Sequence, residues 1–185
     1  VVTAAINKAF GRWKPGPDIY TPPVQPLVKQ DTVIIDRKDS PQTTLLIGLP
    51  ILQPKDKDYV GMYVTDALLG SSFGSRITSN IRGNKGYTYS PFSSILNRRG
   101  VSLWTESADI TSENTIDALQ EIEKEISRLR DEPPSAEELK GIQNYLAGIF
   151  VLQNSTPGGI IGQLQFLDKH GLPDSYLSNF VKNIH

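Results

Sequence analysis

Residues able to grip a peptide backbone come together in one short stretch, Leu68 to Ser94. Arg82 closes a run of helical spacing, Arg76 to Arg82, in which Ile77 and Ile81 lie four apart and share a face. Gly83 to Gly86 is expected to stop that helix. Tyr87 and Tyr89 then fall on alternate positions of an expected strand, which puts both rings on one side. A guanidinium presents a planar fork of donors, and a phenol adds one more. Held on rigid elements, the two could bind a peptide carbonyl or a carboxylate. The plainer reading is that Arg82 complements a helix C-terminus and that the tyrosines pack the sheet with their hydroxyls at the rim. Composition and spacing alone favour the plainer reading.

Other chemistries find less support. The chain has no cysteine, which removes disulfides, thiol catalysis and cysteine-bound zinc. Its two histidines, His170 and His185, belong to no H-x-x-E-H motif. No metal site is expected, and both rings are expected in solvent. No G-x-S-x-G elbow accompanies His170 as a possible base. Gly70 to Gly74 lacks the lysine and threonine of a phosphate loop and reads as a tight turn. Glu121, Glu123, Glu125, Glu137 and Glu138 read as solvated helix faces. A net charge of −1 without a basic stripe gives no reason to expect nucleic acid. No apolar run is long enough to cross a membrane as a helix.

The elements that must position Arg82 and the tyrosines can be laid out in order. Val1 to Phe10 has apolar residues spaced by four and reads as a helix, followed by five prolines between residues 15 and 26, a stiff extended linker. Asp31–Lys38 and Thr43–Leu49 are apolar runs flanking a turn and read as a hairpin. Lys55–Leu69 reads as a helix with Asp56 as its N-cap. Tyr87–Leu96 and Val101–Ile110 form a second hairpin around Asn97-Arg98-Arg99-Gly100. A helix capped by Thr111 or Ser112 ends at Pro133-Pro134, and Ser135 to Glu138 is a capping box that opens the next. Thr156-Pro157 starts another, and Asp174–Ile184 is the last. The expected fold is α+β, a mainly antiparallel sheet covered by helices on one face.

The stretch SSFGSRITSNIRGNKGYTYS resembles the signature of the second, non-zinc half of the pitrilysin/insulinase family of inverted-motif zinc peptidases. Gly70, Ser75, Arg76, Ile77, Ile81, Arg82, Lys85, Gly86 and Tyr89 fit that pattern, while Gly83-Asn84 replaces the usual acidic pair of the loop. The resemblance implies that residues 1–22 are the tail helix and linker of an upstream domain and that 23–185 form one substrate-binding domain. It implies that Arg82 and Tyr89, with Tyr87 as the alternative tyrosine, reach the zinc site of a partner half and bind substrate backbone beside the scissile bond. Zinc is then expected in that partner, an unstructured peptide as substrate, and no catalysis by this chain alone. A homodimer is the other partner arrangement to consider. The resemblance also admits a non-catalytic core subunit of the same fold, and strand addition to an open sheet edge would make a stand-alone peptide-binding module. The bacterial periplasm or cytoplasm is the expected setting, and a longer parent chain is expected because residue 1 is valine.

Overall fold

The computed structural model describes residues 1–17, 19–20 and 29–185. Much of the expected linker, and the expected domain boundary after residue 22, lie outside the described residues. Helix α1 (Val2–Phe10) keeps its spacing by four but buries none of it; Val2, Ile6 and Phe10 are all exposed.

The architecture is α+β, as expected. Strands β1 (Gln42–Ile51), β2 (Phe92–Arg98) and β3 (Val101–Thr111) form an antiparallel sheet in the order β1-β3-β2. The β2–β3 hairpin turns at Gly100, whose φ of 81° suits glycine. The expected hairpin between Asp31–Lys38 and Thr43–Leu49 does not form. Residues 31–36 carry no strand, and Val33, Ile34 and Ile35 lie open to solvent. β1 pairs with β3 instead, with Leu45 opposite Ala108 and Ile47 opposite Glu106. A β-branched run becomes a strand only where a neighbour pairs and packs it. Among the described residues, Asp31–Lys38 has no such neighbour.

Side chains along β3 alternate as its sequence requires. Ser102, Trp104, Glu106, Ala108 and Ile110 are buried toward the helices, while Leu103, Thr105 and Ser107 share the other face. Register extends that second face to Leu46 and Gly48 on β1 and to Phe92 and Ser94 on β2. This helix-free face is therefore mostly small or apolar, with Leu46 and Phe92 well exposed.

The helices are α2 (Tyr59–Asp66), α3 (Thr115–Asp131), α4 (Ala136–Gln153), α5 (Pro157–His170) and α6 (Ser175–Ile184). Asp56 does not cap α2: its Oδ2 accepts from the Gln53 N–H at 2.8 Å, and the helix starts after Asp58. Two other caps fall where the sequence places them. Ser135 Oγ accepts from the Glu138 N–H at 3.1 Å, and Thr156 Oγ1 from the Gly159 N–H at 3.1 Å. Burial divides into two clusters. Ile77, Ile81, Trp104, Ile110, Ala118 and Ile122 join the sheet to α3. Val60, Val64, Leu68, Leu146 and Ile184 join α2, α4 and α6.

A polar seam runs between the sheet and the end of α2. Asp66 Oδ1 accepts from Ser93 Oγ at 2.5 Å and from Trp104 Nε1 at 2.8 Å. Beside it, Glu106 is fully buried and neither carboxyl oxygen has a hydrogen-bond partner. Gly70 closes the seam from above: a Cβ there would stand 2.5 Å from Ser93 Oγ and 2.6 Å from Glu106 Oε2, so only glycine fits. Burial, with Asp66 adding repulsion, pushes the Glu106 carboxyl up to about 8. The folded chain thus holds this proton at pH values where the unfolded chain has lost it. Its contribution is complete below the unfolded value of 4.5 and is lost as pH rises through about 8. The unfolding free energy of the wild type should therefore fall between about pH 4.5 and about pH 8, by up to roughly 1.4 kcal/mol per pH unit, and level off above that. Glu106→Gln, which cannot ionise, should flatten that part of the profile; an unchanged slope would contradict this account of the seam.

Candidate functional site

The signature segment is helical, in an unusual form. After Arg76 and Ile77 it widens into a π-helical run, Thr78–Asn84, in which the Lys85 N–H donates to the Asn80 carbonyl at 3.0 Å. The helix therefore passes Gly83, and only the far end of the expected Gly83–Gly86 stop ends it. Gly86, with φ of 68°, does so, and the Tyr87 N–H turns back to the Ile81 carbonyl at 2.9 Å. The left-handed position decides where the chain turns, and it falls on the second glycine.

The segment is fixed from below and from both sides. Ile77 and Ile81 are fully buried against the sheet cluster. Arg76 donates from Nε to Glu138 Oε1 at 2.8 Å and from Nη2 to Oε2 at 2.9 Å, a two-point bond to the first turn of α4. The Glu138 hydrogen bond raises the Arg76 pKa, and the Arg76 hydrogen bond lowers that of Glu138. On the α3 side, Asn80 Nδ2 donates to Glu121 Oε2 at 2.8 Å and to Glu125 Oε1 at 2.7 Å. Asn80, then the Lys124 and Lys85 ammonium groups, holds the Glu121 carboxyl below its usual range. Three of the glutamates expected on solvated faces are thus fastenings, and Glu125 is buried. Glu123 and Glu137 do remain exposed. Helical periodicity shows which side of α3 is charged but not which polar side chains arrive there from another element.

Tyr87 and Tyr89 do not lie on a strand and do not share a face. Only Thr88 pairs, as a single bridge to Ile110, and β2 begins at Phe92. Tyr87 packs on the core cluster, whereas Tyr89 is 81% exposed. One bridge is too little ladder to impose strand alternation on its neighbours.

Arg82 is half-buried at the end of the clamped helix. Its guanidinium carbon lies 4.7 Å from the ring centroid of Phe73 and 4.8 Å from that of Tyr89. Among the described residues it makes no hydrogen bond and no salt bridge, whereas Arg76, Arg128 and Arg130 are all paired with carboxylates. The structure thus brings Arg82 and Tyr89 together and turns Tyr87 inward. Phe73, 78% exposed, is the residue that spacing did not point to. The available signal was a large aromatic set in a glycine- and serine-rich turn with no periodic partner.

No metal fits here. Among the described residues no group of three or more His, Asp or Glu side chains is placed to hold an ion. His170 is not in solvent as expected: it is 7% exposed, with its ring tilted against that of Phe166 at a centroid distance of 4.8 Å. Burial, then the nearby lysines, lowers its pKa. His185 is exposed. A cavity of about 390 Å³ lies elsewhere, lined by Tyr59, Tyr63, Phe150, Phe166, Tyr176 and Phe180 among others, and takes no residue from the Arg82 group.

The comparisons with known proteins bear on family and fold. The family model described as the peptidase M16 inactive domain matches residues 1–146, so the chain belongs to that family, the non-zinc half of pitrilysin/insulinase-type peptidases. The peptidase M16 inactive domain from Pseudomonas fluorescens is 25% identical, with a TM-score of 0.72 over 78% of this chain and 35% of its own. A protease from Helicobacter pylori is 18% identical, with a TM-score of 0.82 over 99% of this chain and 45% of its own. A chain of complex III2 from Candida albicans is 15% identical, with a TM-score of 0.65 over 79% of this chain and 37% of its own. This chain therefore spans less than half the length of each of these structures. A comparison with curated proteins gave no match. Among the described residues no helix is long and apolar enough to cross a membrane.

The clamp yields a stability prediction. Arg76→Met leaves Glu138 without its partner, and Glu138→Gln leaves Arg76 buried with only a neutral acceptor. Because the Glu138 side chain is 33% exposed, solvent recovers part of the loss. Urea unfolding should show Arg76→Met destabilised by roughly 1–3 kcal/mol and Glu138→Gln by less. A double-mutant cycle with no coupling would remove the pair from the account.

Proposed function

We propose that this chain is the substrate-binding half of a zinc metalloendopeptidase and works only with a zinc-bearing half, in the same parent chain or as a separate subunit. The peptide lies extended between the two halves. Arg82 donates to its backbone beside the scissile bond and to the oxyanion that develops there, assisted by the Tyr89 hydroxyl. Tyr87, packed inward, is the weaker candidate for that hydroxyl role.

One observation carries the reading: Arg82 is a cation with no carboxylate partner among the described residues, held at the end of a helix fastened on two sides. The other arginines without a carboxylate among the described residues, Arg12, Arg37, Arg98 and Arg99, are exposed, whereas Arg82 is half-buried. This one keeps its donors available, which is what a group aimed at developing charge requires.

The second reading is a structural subunit of the same fold, favoured by the likeness to a complex III2 chain, which bears on fold alone. The two separate on one experiment with a quenched fluorescent peptide library. The full-length parent, or this chain mixed with its zinc-bearing half, should cut peptides, and this chain alone should not. Arg82→Ala should lower kcat/KM roughly 100-fold or more, the usual scale for losing a preorganised oxyanion donor, with an unchanged melting temperature. Tyr89→Phe, which keeps the ring, should cost less. Activity that is indifferent to Arg82→Ala would refute the assigned role, and absence of cutting with zinc supplied would favour the structural subunit.

A further inference from the structure

The exposed phenylalanine of the turn before the signature helix has no role in the core. Phe73 is 78% exposed and belongs to neither apolar cluster, so burial gives no reason for so large an apolar side chain there. What it does touch is Arg82, whose guanidinium carbon stands 4.7 Å from its ring centroid. Tyr89 holds the same carbon at 4.8 Å and is itself 81% exposed. Two aromatic rings from opposite ends of the signature stretch thus converge on one cation.

The chemistry of that contact differs from that of Arg76, Arg128 and Arg130, which carboxylates orient. Arg76 is oriented by Glu138, which takes two of its donors and offsets its charge. A ring holds a guanidinium through its π face instead. Such a contact can orient the cation while leaving its N–H groups unspent and its charge intact. A carboxylate at the position of Phe73 would orient Arg82 as firmly and disable it as a donor.

We propose that Phe73 is a positioning residue for Arg82: together with the ring of Tyr89 it sets the guanidinium plane and keeps it unneutralised, so that its donor edge faces an arriving acceptor. The inference rests on the role proposed above for Arg82. It also divides Tyr89 into two parts, a ring that positions and a hydroxyl that can meet substrate.

The test uses the full-length parent or the mixed halves and the same fluorescent peptides. Phe73→Leu keeps an apolar side chain of similar size but has no π face. It should lower kcat/KM about two- to fivefold, the scale of a cation–π contact at an exposed site, with no shift in melting temperature. Phe73→Tyr and Phe73→Trp should restore the activity. A second readout is chemical rescue. In Arg82→Gly, added guanidinium ion should recover part of the turnover, and Phe73→Leu in that background should raise the concentration needed for half-maximal rescue. A Phe73→Leu enzyme with full activity and an unchanged rescue curve would overturn the positioning role while leaving Arg82 in place. If Arg82→Ala itself leaves turnover intact, the underlying function fails, and the Phe73 proposal fails with it. The two failures are thus told apart by which variant is silent.

Discussion

The structure depends on how one short polar helix is held against a sheet. The segment from Arg76 to Asn84 has only two core side chains, Ile77 and Ile81, and a π-helical run of that length has little stability of its own. Its remaining inward-facing residues are polar, and burial would cost free energy without partners. Glu138 of α4 and Glu121 and Glu125 of α3 supply those partners through Arg76 and Asn80. Two helices distant in sequence are thereby tied to the same segment. Arg82 stands at its free end, so the fastening of the helix is also the placement of the cation.

The opposite side of the same region shows a different solution to buried charge. Glu106 has no fastening partner and is relieved by keeping its proton, at the cost of stability as pH rises from about 4.5 to about 8. Its position is enforced by Gly70, which could carry no Cβ without meeting it. The glycine of the signature turn thus serves the packing of α2 on the sheet, as the turn's phenylalanine serves Arg82. Small residues and one aromatic in a single loop answer to two neighbouring demands.

An aromatic setting for Arg82 separates orientation from neutralisation. Ion pairs orient Arg76, Arg128 and Arg130 and consume some of their donors. A site that must receive substrate oxygen needs a cation that is steady and still unsatisfied. Contact with aromatic faces meets both conditions at modest energetic cost, and it permits the cation to remain half-buried at the surface.

Much of this was legible in the sequence. The antiparallel β2–β3 hairpin, the alternation of β3, the caps at Ser135 and Thr156 and the α+β class follow from local spacing and turn chemistry, which act between residues close in the chain. The family signature likewise singled out Arg82 and Tyr89. Tertiary structure decided the rest. It left Asp31–Lys38 without a partner strand, carried the signature helix past Gly83, turned Tyr87 inward and Tyr89 outward, and drew three glutamates from an expected solvated face into bonds with Arg76 and Asn80. It also buried His170 against Phe166 and brought Phe73 to Arg82. Periodicity reports which side of an element is apolar. Only the folded chain reports which group from elsewhere stands opposite a given polar residue, because pairing and desolvation depend on distances between residues far apart in sequence.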